Sequence, residues 1–116
     1  MNAKDLLMRV PETVRPPDGV RPTKRTVVQY SISEPVYHVL ENGEVVAVEG
    51  TAPDPDVTIK VGDDDLIDLL GGRLSPAAAL FTGRLKVRGD IGLAQRLIGL
   101  VDREKLAAVQ NELERA

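Results

Sequence analysis

Cysteine and tryptophan are absent, histidine occurs once (His38), and the aromatic rings are Tyr30, Tyr37 and Phe81 alone. Without cysteine there is no disulfide, thiolate metal site or thiol nucleophile, and one histidine cannot complete a His-based zinc site within a chain. Three rings are too few for a stacking platform for single-stranded nucleic acid. A cationic excess is missing too: Lys+Arg 15 against Asp+Glu 18 leaves a net charge of −3, so no strong field draws the whole molecule to nucleic acid or anionic lipid. No apolar run approaches the roughly 18 residues of a membrane span. Met1 to Val10 carries Lys4, Asp5 and Arg9 and lacks the apolar stretch of a signal peptide. A cytoplasmic protein is expected.

What is present suffices for one core. Leu, Ile, Val and Phe make up 35 of 116 residues, well above the roughly 20% below which chains stay disordered. A single domain over residues 1–116 is expected.

Residues 3–10 read as a short amphipathic helix with Leu6, Leu7 and Val10 on one side, stopped by Pro11. A proline-rich wrap follows to Pro22, with one helical turn near Glu12 to Val14. Thr26 to Ser33 alternates as a half-buried strand, with Val28, Tyr30 and Ile32 on one face and Val27, Gln29, Ser31 and Ser33 on the other. Val36–Glu41, Asn42-Gly43 and Glu44–Glu49 then form a two-residue hairpin, because Asn-Gly tolerates the positive φ of a type I′ turn. That turn sets Glu41 against Glu44, Val39 against Val46 and Tyr37 against Val48, one apolar face. His38 with Ala47 and Val36 with Glu49 share the other face, so His38 is expected to point out of the core.

Val57 to Val61 alternates again, with Val57, Ile59 and Val61 inward. Asp63-Asp64-Asp65 opens a helix carrying Leu66, Leu69 and Leu70, where carboxylates suit the unpaired N–H groups, and Gly71-Gly72 closes it. Ser75-Pro76 starts another helix ending near Gly83. Arg84 to Arg88 is a fifth strand with Leu85 and Val87 inward and Arg84, Lys86 and Arg88 outward. From Asp90 a helix with a wide apolar arc runs to Val101; past Asp102 the stripe shifts to Leu106, Val109 and Leu113, which points to a kink or new helix there. The wide arc suits either the lining of an apolar tunnel, a well-buried helix or a dimer face.

Three other features are better explained by structure than by chemistry. The triple aspartate lacks the glycine and glutamate offsets of a calcium loop. Ser75 has no nucleophile-elbow context, and His38 has no identifiable partner carboxylate for base catalysis. No catalytic residue, metal or cofactor is expected.

Taken in order, Pro53 to Val61, Asp65 to Arg73, Ser75 to Ala79, Thr82 to Asp90 and Leu93-Ala94, preceded by the Thr26 to Ile32 strand and the glycine-turn hairpin, resemble the sterol carrier protein type 2 domain. The resemblance spans about residues 3–101. It implies an α+β fold: a five-stranded, mainly antiparallel sheet with helices on one face, enclosing an apolar tunnel for sterols, fatty acids or acyl-CoA. The low aromatic content and the absence of a peroxisomal signal fit a bacterial member whose ligand need not be a sterol. On this reading the ligand-binding residues are Val28, Tyr30, Ile32, Val39, Leu66, Leu70, Leu80, Phe81, Leu97, Ile98 and Val101, with Val46 completing the floor and residues 102–116 as a lid. The expected function is non-catalytic lipid binding or transfer, with transient membrane contact through Arg84, Lys86 and Arg88 and no nucleic-acid partner. The alternative is a ligand-free interaction or homodimer module using the Leu97, Val101, Leu106, Val109 and Leu113 surfaces.

Overall fold

The computed structural model describes residues 2–13, 25–41, 44–90, 92 and 101–115. Helix α1 (Ala3–Arg9) is capped by the Asn2 side chain, which accepts from the Asp5 N–H, and runs into a 3₁₀ turn (Val10–Thr13) where Pro11 removes a helical donor. Strand β1 (Thr26–Ser31), the hairpin strands β2 (Val36–Glu41) and β3 (Glu44–Glu49), and β4 (Val57–Val61) follow. After them come α2 (Asp63–Leu70), α3 (Pro76–Phe81), β5 (Leu85–Gly89) and α4 (Arg103–Arg115).

The sheet order is β3-β2-β1-β4-β5, antiparallel except for the parallel β1–β4 pair. The hairpin occupies one side of β1, so the chain returns through residues 50–56 to the other side and runs parallel to it. That return crosses the face of β1, where Gly50 and Ala52 meet the Gln29 side chain. At Gly89, whose φ is +93°, a Cβ would lie 2.3 Å from the Asp56 carbonyl oxygen, so only glycine fits.

The hairpin register is the one its turn dictates, Glu41 to Glu44 through Val36 to Glu49; the Asn42-Gly43 turn lies outside the described residues. The covered side is the opposite of the one expected. β1 sets Val28 against His38 and Tyr30 against Val36, so Val28, Tyr30, Val36 and His38 share the face under the helices and all are buried. Val39 and Val46 share the other face, where Val46 is 53% exposed.

Beneath α1, His38 is fully buried, its Nε2 lies 2.9 Å from the Leu7 carbonyl oxygen, and its ring meets Tyr30 edge-on at 4.8 Å. A carbonyl only accepts, so Nε2 carries the proton and Nδ1, buried without a partner, stays a bare acceptor. Burial lowers the His38 pKa to about 4, with the Leu7 carbonyl opposing that shift.

β1 is covered on its second face as well, against the half-buried expectation. Gln29 is buried there, donating from Nε2 to the carbonyls of Val36 and Gly50 (both 3.2 Å) and accepting at Oε1 from Ala52 N–H (2.7 Å). The returning loop thus brings partners enough to satisfy an amide out of water.

Candidate functional site

Between the sheet and the helical layer lies a cavity of about 90 Å³. Its floor is Tyr30, Ile59, Leu85 and Val87 from β1, β4 and β5, and its roof is Leu66, Leu69, Leu70 and Pro76 from α2 and α3. Leu7, Val10, Val101 and Leu106 close one end, and Arg103 is the charged side chain among the described lining residues. The local sequence accounts for each wall. Alternation turns Ile59, Leu85 and Val87 toward the helices, and helical spacing places Leu66, Leu69 and Leu70 on the underside of α2.

The triple aspartate opens α2 as expected, but the cap residue is Gly62 with no side-chain cap bond. Asp63 instead accepts from the Ser33 N–H (2.9 Å) and hydroxyl, tying α2 to the end of β1. Gly72, at φ +77°, lets the Arg103 guanidinium lie against the end of α2, within 3.0 Å of where a Cβ would stand.

Of the expected binding residues, Tyr30, Leu66, Leu70 and Val101 border this cavity. Val28 lies on the same face but in closed core, and Ile32 packs half-buried against that core beyond the end of β1. Val39 lies across the sheet, beside Glu41, Glu44 and Val46 in a shallow surface depression. Its register was legible; the covered side was not. Leu80 and Phe81 face solvent, 42% and 94% exposed, because α3 buries only Ala79. Leu97, Ile98 and the rest of the wide apolar arc before Val101 lie outside the described residues.

Sequence reasoning did not single out Leu7, Val10, Ile59, Pro76, Leu85, Val87, Leu106 or Arg103 as lining. The apolar ones carried a signal, their place on inward stripes; Arg103 carried none.

Past Asp102 a new helix does begin. Asp102 Oδ1 accepts from the Glu104 and Lys105 N–H groups (3.0 and 3.3 Å), and its own N–H donates to the Thr13 carbonyl (2.6 Å). The stripe of α4 turns inward onto α1: Leu106 and Val109 are buried and Leu113 packs against the core. An outward interaction face at those residues is therefore not what the fold presents. Arg9 joins the two helices through Glu112 (2.7 Å) and also pairs with Glu12; these partners raise its pKa.

Among the described residues there is no group of three or more His, Asp or Glu placed to hold a metal, and no helix is long and apolar enough to cross a membrane.

Comparison with known proteins agrees with this architecture. The model of the SCP-2 sterol transfer family matches residues 4–102. A 68-residue stretch is 40% identical to peroxisomal multifunctional enzyme A of Dictyostelium discoideum, covering 58% of this chain and 15% of that protein. A 61-residue stretch is 36% identical to sterol carrier protein 2 of Oryctolagus cuniculus, covering 53% of this chain and 11% of that one. The chain thus spans a small fraction of these relatives' length. In structure it is similar to palmitated SCP2L2 from Aedes aegypti, with a TM-score of 0.67 and 28% identity over 85% of this chain and 93% of the other.

Proposed function

This chain belongs to the SCP-2 sterol transfer family, and on that premise we propose that it is a lipid carrier that holds an apolar tail in the cavity between sheet and helices. The observation that carries the proposal is the cavity itself, apolar on floor and roof with Arg103 at its edge. Space walled by Leu, Ile, Val and Tyr takes an alkyl chain or sterol ring more readily than a polar metabolite. Transfer of a tail from water is worth about 0.8 kcal/mol per CH₂. Ten carbons would then give roughly 8 kcal/mol before ordering costs, which sets micromolar as the tightest affinity such a tail supplies. That the Aedes aegypti neighbour is described as palmitated supports an acyl tail.

The mechanism is binding rather than chemistry. An apolar cavity of roughly 150 Å³ accommodates one benzene, so a cavity of about 90 Å³ takes a full chain only when the helical layer moves away from the sheet. Helix α3 is the element best suited to move, since Ala79 is its one buried side chain and Ser75 makes no side-chain cap bond to it. Val101, Leu106 and Arg103 make the start of α4 an end wall of the cavity rather than a lid. The exposed row Arg84, Lys86 and Arg88 suits transient contact with an anionic surface. A fatty acid, acyl-CoA or sterol fits this reading, and Arg103 favours ligands with an anionic head.

The test is to extract the purified protein with organic solvent, identify bound lipid by mass spectrometry, and titrate the emptied protein with a fluorescent fatty acid. A stoichiometric lipid, or saturable uptake at micromolar concentration, is expected. An empty protein that takes up no probe overturns the proposal.

A further inference from the structure

Helix α2 ends in Gly71-Gly72, and side-chain donors gather around that pair. Gln110 Nε2 and Arg73 Nη2 lie 3.2 and 3.6 Å from where a Cβ on Gly71 would stand, and Arg103 Nη1 lies 3.0 Å from the corresponding point on Gly72. Adjacent Cα atoms are about 3.8 Å apart, so all three nitrogens crowd one turn of chain. Arg103 and Gln110 are seven residues apart on α4, which puts them on one face of that helix, two turns apart.

Cations often collect at a helix C-terminus to meet its unpaired carbonyls, but that need is already met here. The carbonyls of Ile67, Asp68 and Leu69 accept from the N–H groups of Gly71, Arg73 and Gly72. Arg73 pairs with Asp68 at 3.1 Å. Gln110 Nε2, by contrast, is buried without a partner, and the Arg103 side chain makes no ion pair or hydrogen bond among the described residues. A buried donor without an acceptor is rare in a folded protein. The turn therefore presents one unshared guanidinium and one unshared amide side by side.

We infer that the Gly71-Gly72 turn, with Arg103 and Gln110 of α4, is a seat for the oxyanion head of a single-chain lipid, a carboxylate or a phosphate, whose tail lies in the cavity. The two parts adjoin. Leu69 and Leu70, just before the glycines, line the cavity, as does Arg103, while Gly71, Gly72 and Arg103 are exposed. A ligand with an apolar tail and a charged head meets apolar wall and cation in that order, from the inside out. The planar fork of a guanidinium holds a carboxylate or phosphate by two parallel bonds, and the Gln110 amide adds a third donor. A sterol or fatty alcohol, whose head is a neutral hydroxyl, gains nothing from the charge. On the lipid-carrier reading, from which this seat takes its ligand, the cargo narrows to acyl anions.

Palmitate and hexadecanol share a tail and differ in the head, so titrating both into the full chain isolates the seat. Palmitate should bind about tenfold tighter. Arg103→Gln should erase that preference by weakening palmitate about tenfold while leaving hexadecanol within about twofold. Arg103→Lys, which keeps the charge but not the fork, should retain part of it, and Gln110→Met, similar in shape without the donor, should weaken palmitate about threefold. Urea unfolding of each variant confirms that it folds. Hexadecyl phosphate run beside palmitate separates the two heads: both should exceed hexadecanol, and the tighter of the two names the oxyanion. Equal binding of all three lipids, or an equal loss of palmitate and hexadecanol in Arg103→Gln, overturns the seat and leaves the carrier standing. Binding of none of them overturns both.

Discussion

Over β1 and β2 the helical layer is shut, with Leu6, Leu7 and Leu106 at most 2% exposed; over β4 and β5 the same layer leaves a cavity and an apolar helix in solvent. Both ends are rich in leucine and valine, so hydrophobic content does not separate them. The ties do. At the shut end Lys4 reaches Glu49, Arg9 reaches Glu112, His38 meets Leu7 and Asp102 donates to Thr13. Each surface pair is worth under about 1 kcal/mol, but together they fix where α1 and α4 lie while the leucines close beneath them. At the open end α3 is joined to β5 by a short turn and buries one alanine. The closed core at one end holds the domain together while the other end keeps a cavity.

The contrast shows most visibly in paired truncations. Leu6→Ala, in the shut end, should cost about 2–5 kcal/mol, whereas Leu80→Ala should stay within about 0.5 kcal/mol. Urea unfolding of both proteins measures the contrast, and equal losses would mean that α3 is packed after all.

The shut end should also carry a pH dependence. His38 holds its proton less tightly folded (pKa about 4) than unfolded (6.5), so between those values the unfolded chain binds more protons and stability rises with pH. The His38 contribution is whole above about 6.5 and is lost as pH falls toward about 4, a difference of roughly 3 kcal/mol. His38→Phe should remove that part of the slope, measured as unfolding free energy at pH 7 and pH 4.5. An unchanged slope would mean that α1 does not seal the histidine.

At the open end, Leu70→Phe fills space rather than making it. It should weaken fluorescent fatty-acid uptake about tenfold, equivalent to about 1.4 kcal/mol, at a smaller cost in stability. Uptake unchanged by this variant would place the ligand elsewhere. Smallest of all, Val46→Thr on the uncovered sheet face should move stability by no more than about 0.5 kcal/mol and leave uptake untouched. A large loss would restore Val39 and Val46 to the binding floor.

Much of this was legible in advance where the signal is local. Alternation in Val57–Val61 and Leu85–Gly89 gave both strands and their inward residues, and the family resemblance gave the sheet and its helical cover. Arg103 could not be read, since a charged residue at the start of an amphipathic helix looks the same beside a cavity as beside water. Gln29 is another such case: its burial depends on the carbonyls of Val36 and Gly50 and the Ala52 N–H, which only the returning loop brings within reach.

Which residues form strands and helices, the hairpin register and the break at Asp102 all follow from the order of residues along the chain, because turn chemistry, capping and side-chain periodicity act over a few residues. Packing in three dimensions settled which sheet face the helices cover, that α4 turns Leu106 and Val109 inward, and that α3 is left bare beside the cavity. A strand's alternation defines two faces without saying which one will be covered. That choice belongs to α1, which lays its leucines over Val28, Tyr30 and His38 and leaves Val39 and Val46 on the opposite face.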